Sequence, residues 1–153
     1  MGIANHPKHN KNKALAALTT LRRFSALPPN IKLHLVKACV LPILTYPPYP
    51  LNPLSKTSML SLQKIQNKAL RFAFNERYPY TRNTEQLHQL AKLDPVNVTL
   101  FNRGISTKER LLNIIKDQTY QEILRGNINN EHGWFKKTII YLNKGRPTPM
   151  YTR

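Results

Sequence analysis

The stretch LSLQKIQNKALRFAF, residues 60–74, repeats its apolar residues at helical spacing and carries three cations with no acid among them. At 100° per residue, Leu62, Ile65, Ala69, Phe72 and Ala73 gather on one side. Lys64, Lys68 and Arg71 fall within ~60° of one another on the opposite side. The apolar face predicts a helix laid on a core, entered at Ser55 as N-cap. The cationic face is unusual, because a solvated helix face normally mixes both signs. It predicts a surface that holds something anionic, with Gln63 and Asn67 as neutral donors at its flanks.

Outward from that helix the chain is punctuated by breaks. On its N-terminal side, TYPPYPLNP (45–53) has four prolines in nine residues, so it reads as a stiff extended connector. Before it, apolar residues run nearly all round from Asn30 to Leu44, which predicts a central helix that Pro42 ends or kinks. LPPN (27–30) separates that helix from an earlier one, Lys13 to about Ser25, with Leu15, Leu18 and Leu21 on one face and Phe24 after them. Arg22 and Arg23 close it, favourably placed at the negative end of the dipole. Residues 1–12 show no periodicity and read as a flexible basic arm.

On the C-terminal side, NERYPYTRN (75–83) is a second break. Asn83 with Gln86 makes a capping box for a short helix. LDPVNV (93–98) predicts another start, with Asp94 as N-cap, Pro95 at the first helical position and Leu93 stapled to Val98. Gly104 is expected to stop or bend that helix, since Ser106 and Glu109 repeat the capping pattern. Thr119 and Glu122 repeat it again, before Gly126 as a helix end. WFKKTIIYLNK (134–144) fits a short helix or a strand, and GRPTPMYTR reads as a frayed tail. The expected architecture is all-α: a small helical bundle over 13–126 with Pro-rich connectors, then a partly ordered C-terminal extension, 127–153.

Charge narrows the function. The chain of 153 residues has 24 Lys and Arg against 7 Asp and Glu, and a formal net charge of +17. Before Glu76 there are eleven Lys and Arg and no acidic residue. Such a surplus repels itself unless an anionic partner is near. The most apolar run, residues 33–46, is shorter than the ~20 residues that span a bilayer and contains Lys37 and Pro42. No secretory signal is evident, and a single cysteine, Cys39, gives no disulfide framework. The expected setting is intracellular, in cytoplasm or nucleus, with no membrane partner. Nucleic acid remains as the partner, and the candidate contacts are Lys64, Lys68, Arg71, Arg22, Arg23, Lys32, Lys37, Gln63, Asn67 and Tyr46. Tyr49, Tyr78 and Tyr80 lie in the breaks beside the cationic helix and offer rings for stacking.

Catalytic chemistry finds little support. Metal-dependent nucleotidyl transfer needs clustered carboxylates, and the two aspartates, Asp94 and Asp117, stand alone. The five histidines are scattered, and the five glycines are isolated, so no metal motif or phosphate loop emerges. No cofactor is expected, and the chain alone is not expected to be an enzyme.

KACVLPILTY followed some twenty residues later by LQKIQNKALR resembles the region after the palm in reverse transcriptases of non-LTR retrotransposons, of the jockey-like group. The resembling positions are Pro42, Tyr46, Leu62, Gln63, Gln66, Leu70 and Arg71, and TEQLHQLAKLDPVNVTL resembles the family's C-terminal continuation. Relatives place Gly after the Tyr and a Trp soon after, where this chain has Pro47-Pro48 and no Trp. The resemblance implies a thumb-like helical module that grips a template–primer backbone, as RNA–DNA duplex or structured RNA, without the catalytic Asp-Asp palm. It implies a fragment or remnant of an RNA-directed DNA polymerase. A second reading keeps the bundle as a non-catalytic adaptor docked on a protein, such as a reverse transcriptase palm.

Overall fold

The computed structural model describes residues 6–45, 54–114 and 134–152. The chain is all-α: the described residues form helices joined by turns, with no strand among them. They are α1 (His6–Leu21), a 3-10 turn (Arg22–Phe24), α2 (Pro29–Cys39), α3 (Leu41–Thr45), α4 (Lys56–Ala73), α5 (Thr84–Ala91), α6 (Val96–Ile114) and α7 (Trp134–Asn143). The chain divides into two compact units. One comprises residues 1–46, 55–96 and 149–153, the other residues 47–54 and 97–148.

The first unit is built around α4, which packs on α1, α2, α3 and α5. The central helix is therefore α4 and not the expected helix over 30–44. The apolar residues of that earlier segment do run all round, but only a stripe at i+4 spacing is fully covered: Lys32, Val36, Val40 and Leu44. Ile31 stays 43% exposed, and Cys39 lies at the surface rather than in a core. Pro42 has the expected effect. It offers no N–H to the turn before it, so α2 ends at Cys39 and α3 resumes at Leu41.

α1 begins at His6, seven residues before Lys13, so most of the expected arm is helix. Pro7 is no obstacle, because a proline in the first turn gives up an N–H with no helical partner. Asn10 Nδ2 donates to the Ile43 carbonyl at 3.1 Å, which ties this first stretch to α3. The buried face is Ala14, Leu18 and Leu21, with Leu15 only half-buried and Phe24 48% exposed. Residues 1–5, and the connector 46–53 with Tyr46 and Tyr49, lie outside the described residues.

Local capping sets the ends of α4 and α5. Ser55 Oγ accepts from the Ser58 N–H at 3.2 Å, as expected of the N-cap. Past Ala73, Asn75 takes a left-handed φ of 59°, a conformation asparagine tolerates. The Glu76 N–H then reaches the Arg71 carbonyl at 2.9 Å and the Asn75 N–H reaches Phe72 at 3.3 Å, a Schellman closure. α5 opens on the expected capping box: Gln86 N–H to Asn83 Oδ1 at 2.8 Å, and Asn83 N–H to Gln86 Oε1 at 3.0 Å. It closes by a second Schellman turn at Lys92, φ 50°. Leu70, Leu87 and Ala91 form a small core there, covered by Leu33, Phe74 and Leu93.

In the second unit, α6 runs unbroken to Ile114. Gly104 is buried in mid-helix and does not stop it, so the Ser106–Glu109 pattern opens no new helix. Within this unit the Phe101 and Tyr141 rings meet edge-on at 6.2 Å, and Asn97 Nδ2 donates to the Thr148 carbonyl at 2.7 Å. Residues 134–143 resolve as helix rather than strand. The Thr119–Glu122 pattern and Gly126 lie outside the described residues.

Candidate functional site

The expected contacts separate into two groups once α4 is seen in place. Lys64 and Lys68 are exposed and Arg71 is half-buried on one side of the helix. Gln63 and Asn67 are turned inward and buried, so they are not donors at the flank of the stripe. The reason is the width of the covered face. Helices pack on both sides of α4, so positions one residue before each lysine fall under the neighbours.

Those amides form a buried polar network. Gln63 Oε1 accepts from the Val96 N–H at 2.7 Å, and Gln66 Nε2 donates to the Asp94 carbonyl at 3.0 Å. The first N–H of α6 is thus satisfied by Gln63, and α6 begins at Val96 with Pro95 just outside it. Gln63 Nε2 lies 2.9 Å from Asn67 Oδ1 and 3.1 Å from His88 Nε2. His88 Nδ1 lies 3.0 Å from the Leu93 carbonyl, which can only accept, so the ring proton sits on Nδ1. Burial holds the His88 pKa below its ordinary value, partly offset by the Leu93 carbonyl and the charge of Asp94. Asn67 Nδ2 donates to Thr152, and the Tyr151 ring stands edge-on to His88 at 5.3 Å. Residues 151 and 152 are therefore docked in the first unit instead of fraying. The Gln-x-x-Gln spacing serves the architecture.

Lys32 is a correction of another kind. It is fully buried, with Nζ bonded to the Ser25 carbonyl at 3.2 Å and to Asn75 Oδ1, and 5.3 Å from the centre of the Phe72 ring. It has no free surface with which to meet a ligand. Burial lowers its pKa, and the nearby charge of Arg77 lowers it further. Its place on α2 follows from the i+4 stripe it shares with Val36.

The three groups bonded to or facing Lys32 all belong to the wall of one open cleft of about 490 Å³. Arg22, Ser25, Lys68, Arg71, Phe72, Asn75, Glu76, Arg77 and Tyr80 line it. The 3-10 turn after α1 brings Arg22, the last turns of α4 bring Lys68 and Arg71, and the Schellman turn at Asn75 aims Glu76 and Arg77. Of the expected contacts, Arg22, Lys68 and Arg71 converge here. Lys64, Arg23 and Lys37 are exposed but do not line it. Arg77 was missed because it follows a break, where no periodicity assigns a residue to a face.

The one carboxylate on the wall is already engaged. Glu76 accepts from Arg82 Nη1 and from the Thr81 hydroxyl and N–H, at 3.0–3.2 Å. Burial pushes its carboxyl up, but the Thr81 hydrogen bonds and the Arg82 charge outweigh this and leave its pKa below the ordinary value. It is thus poorly placed to neutralise the cleft. Arg71 lays its guanidinium 3.7 Å from the Tyr80 ring centre, and its Nη1 is covered without a hydrogen-bond partner. Tyr78, 87% exposed, stands edge-on to Tyr80 at 5.9 Å.

Among the described residues no group of three or more His, Cys, Asp or Glu is arranged to hold a metal, and no helix is long and apolar enough to cross a membrane. Searches for relatives found no matching family model, curated protein or solved structure.

Proposed function

We propose that the first unit is a sequence-nonspecific nucleic-acid-binding module that holds a strand by its phosphates, in a chain derived from the thumb and post-thumb region of a non-LTR retrotransposon reverse transcriptase. The observation that carries the reading is the cleft. Four cations converge on it, with Lys32 beneath them and a single carboxylate already paired with Arg82. Guanidinium and ammonium groups pair with phosphate oxygens whatever the base, so such a surface gives affinity without sequence information. The lysine at position 64 extends the charge along α4. The resemblance supplies the ligand class, RNA–DNA duplex or structured RNA.

The chain performs no nucleotidyl transfer itself, since its sequence supplies no carboxylate pair of the kind that holds two metal ions. Given primed template, deoxynucleotides and Mg²⁺, the purified chain leaves the primer unextended.

The test of binding is salt dependence. Changing Arg22, Lys68 and Arg77 to Gln together removes exposed charges and leaves the apolar face intact. Each lost phosphate contact flattens the slope of log K against log salt by about 0.7–0.9, so the triple variant loses roughly two units or more. An unchanged slope, with helix content preserved by circular dichroism, would show the cleft to be only a solvated basic surface.

A further inference from the structure

We propose that the cleft is a seat for one phosphate monoester, the terminal phosphate of a nucleic-acid strand, and not merely a stretch of the track along its backbone. The inference rests on the reading of the cleft as a phosphate site and narrows it to one chemical form.

Charge density is the first ground. An internal phosphodiester carries a single negative charge, whereas a terminal monoester carries about −1.5 to −2 at pH 7 and offers more free oxygens. A backbone track spreads cations at intervals along a groove. Here Arg22, Lys68, Arg71 and Arg77 meet around one concavity. Beneath it Lys32 is bonded to two of the lining residues, Ser25 and Asn75. Its buried ammonium is disfavoured by desolvation and by Arg77, a cost that a dianion above it offsets.

Unused hydrogen-bonding capacity is the second ground. Glu76 is committed to Thr81 and Arg82. Arg71 lines the cleft and stacks on Tyr80, and its covered Nη1 has no hydrogen-bond partner. A ligand that draws the guanidinium off the ring supplies an acceptor in a charge-assisted pair. A cleft of about 490 Å³ holds an end group with its sugar. The exposed Tyr78 ring beside Tyr80 offers the terminal base a face to stack on.

The experiment measures binding of the full chain to one short single strand, labelled internally, with its ends bearing phosphate or hydroxyl. The phosphorylated strand binds tighter by about ten- to a hundredfold, the worth of one or two added charge-assisted bonds. Arg77→Gln and Lys68→Gln, both at exposed positions, shrink that preference while circular dichroism shows the helices intact. Adenosine monophosphate competes weakly against the phosphorylated strand. Equal affinity for both ends, with the two variants still weakening binding to each, overturns the terminal seat and leaves backbone gripping in place. Variants that change neither affinity nor preference overturn the phosphate reading altogether. A mononucleotide that competes as well as the strand assigns the monoester to free nucleotide and overturns the strand-end assignment.

Discussion

At the scale of single residues, the same side-chain types take opposite roles a few positions apart. Lys68 is open at the cleft and Lys32 is sealed beneath it. Arg71 is held by its ring stack, which a lysine cannot reproduce, because an ammonium has no planar face to lie on Tyr80. Arg71→Lys keeps the charge and should cost about 0.5–1 kcal/mol of stability, measured by urea denaturation. No loss would mean the stack organises nothing. His88 gives a pH signature. Its folded pKa lies below the ordinary histidine value, so just below that value the unfolded chain binds more protons than the folded one. Stability from this residue is complete above about pH 6.5 and declines as pH falls toward the folded pKa. Thermal unfolding between pH 5 and 7.5 should show this decline, and His88→Gln should flatten it. An equally steep decline in the variant would place the titration elsewhere.

At the scale of elements, the ends of helices were more legible than their faces. Ser55 and the Asn83–Gln86 box act as read, because capping is settled within four residues of chain. The LDPVNV helix starts one residue later than expected, at Val96 with Pro95 outside it. The acceptor for the Val96 N–H comes from Gln63, 33 residues earlier, rather than from an Asp94 cap. No local rule finds a partner at that separation. Gln63→Leu should therefore do more harm than its helix propensity suggests. It strands the Val96 N–H and breaks the link to His88, for about 1–3 kcal/mol in a denaturant titration. A cost within experimental error would show that water replaces the amide. The arm shows the reverse limit: polar residues without periodicity still form helix when they continue into one with an apolar face and Asn10 finds the Ile43 carbonyl.

At the scale of the molecule, the surplus of positive charge works against the fold itself. A net charge of +17 repels itself, and the cleft concentrates part of that repulsion. Arg77 bears on the buried Lys32 directly. Arg77→Gln should raise the melting temperature of the free protein by a degree or a few, the effect of roughly 0.5 kcal/mol in a domain of this size. With saturating oligonucleotide the order should reverse, since ligand bound to the native state stabilises the wild type more. A variant less stable than wild type in both conditions would show Arg77 to be a structural residue.

The sequence by itself determined the fold class, the break at Pro42, the caps at Ser55 and Asn83, and the surplus of positive charge. Each depends on composition or on residues within a turn of one another, as with Ser55, Pro42 and the surplus of cations before Glu76. Only the tertiary structure decided which cations share a site. Arg22, Lys68, Arg71 and Arg77 come from a 3-10 turn, two turns of α4 and the loop past a left-handed asparagine, and helical spacing relates only the middle pair. It also decided that Gln63, Asn67 and Lys32 face inward, because whether a polar residue at the margin of an apolar stripe is wet depends on how far the neighbouring helices wrap around it.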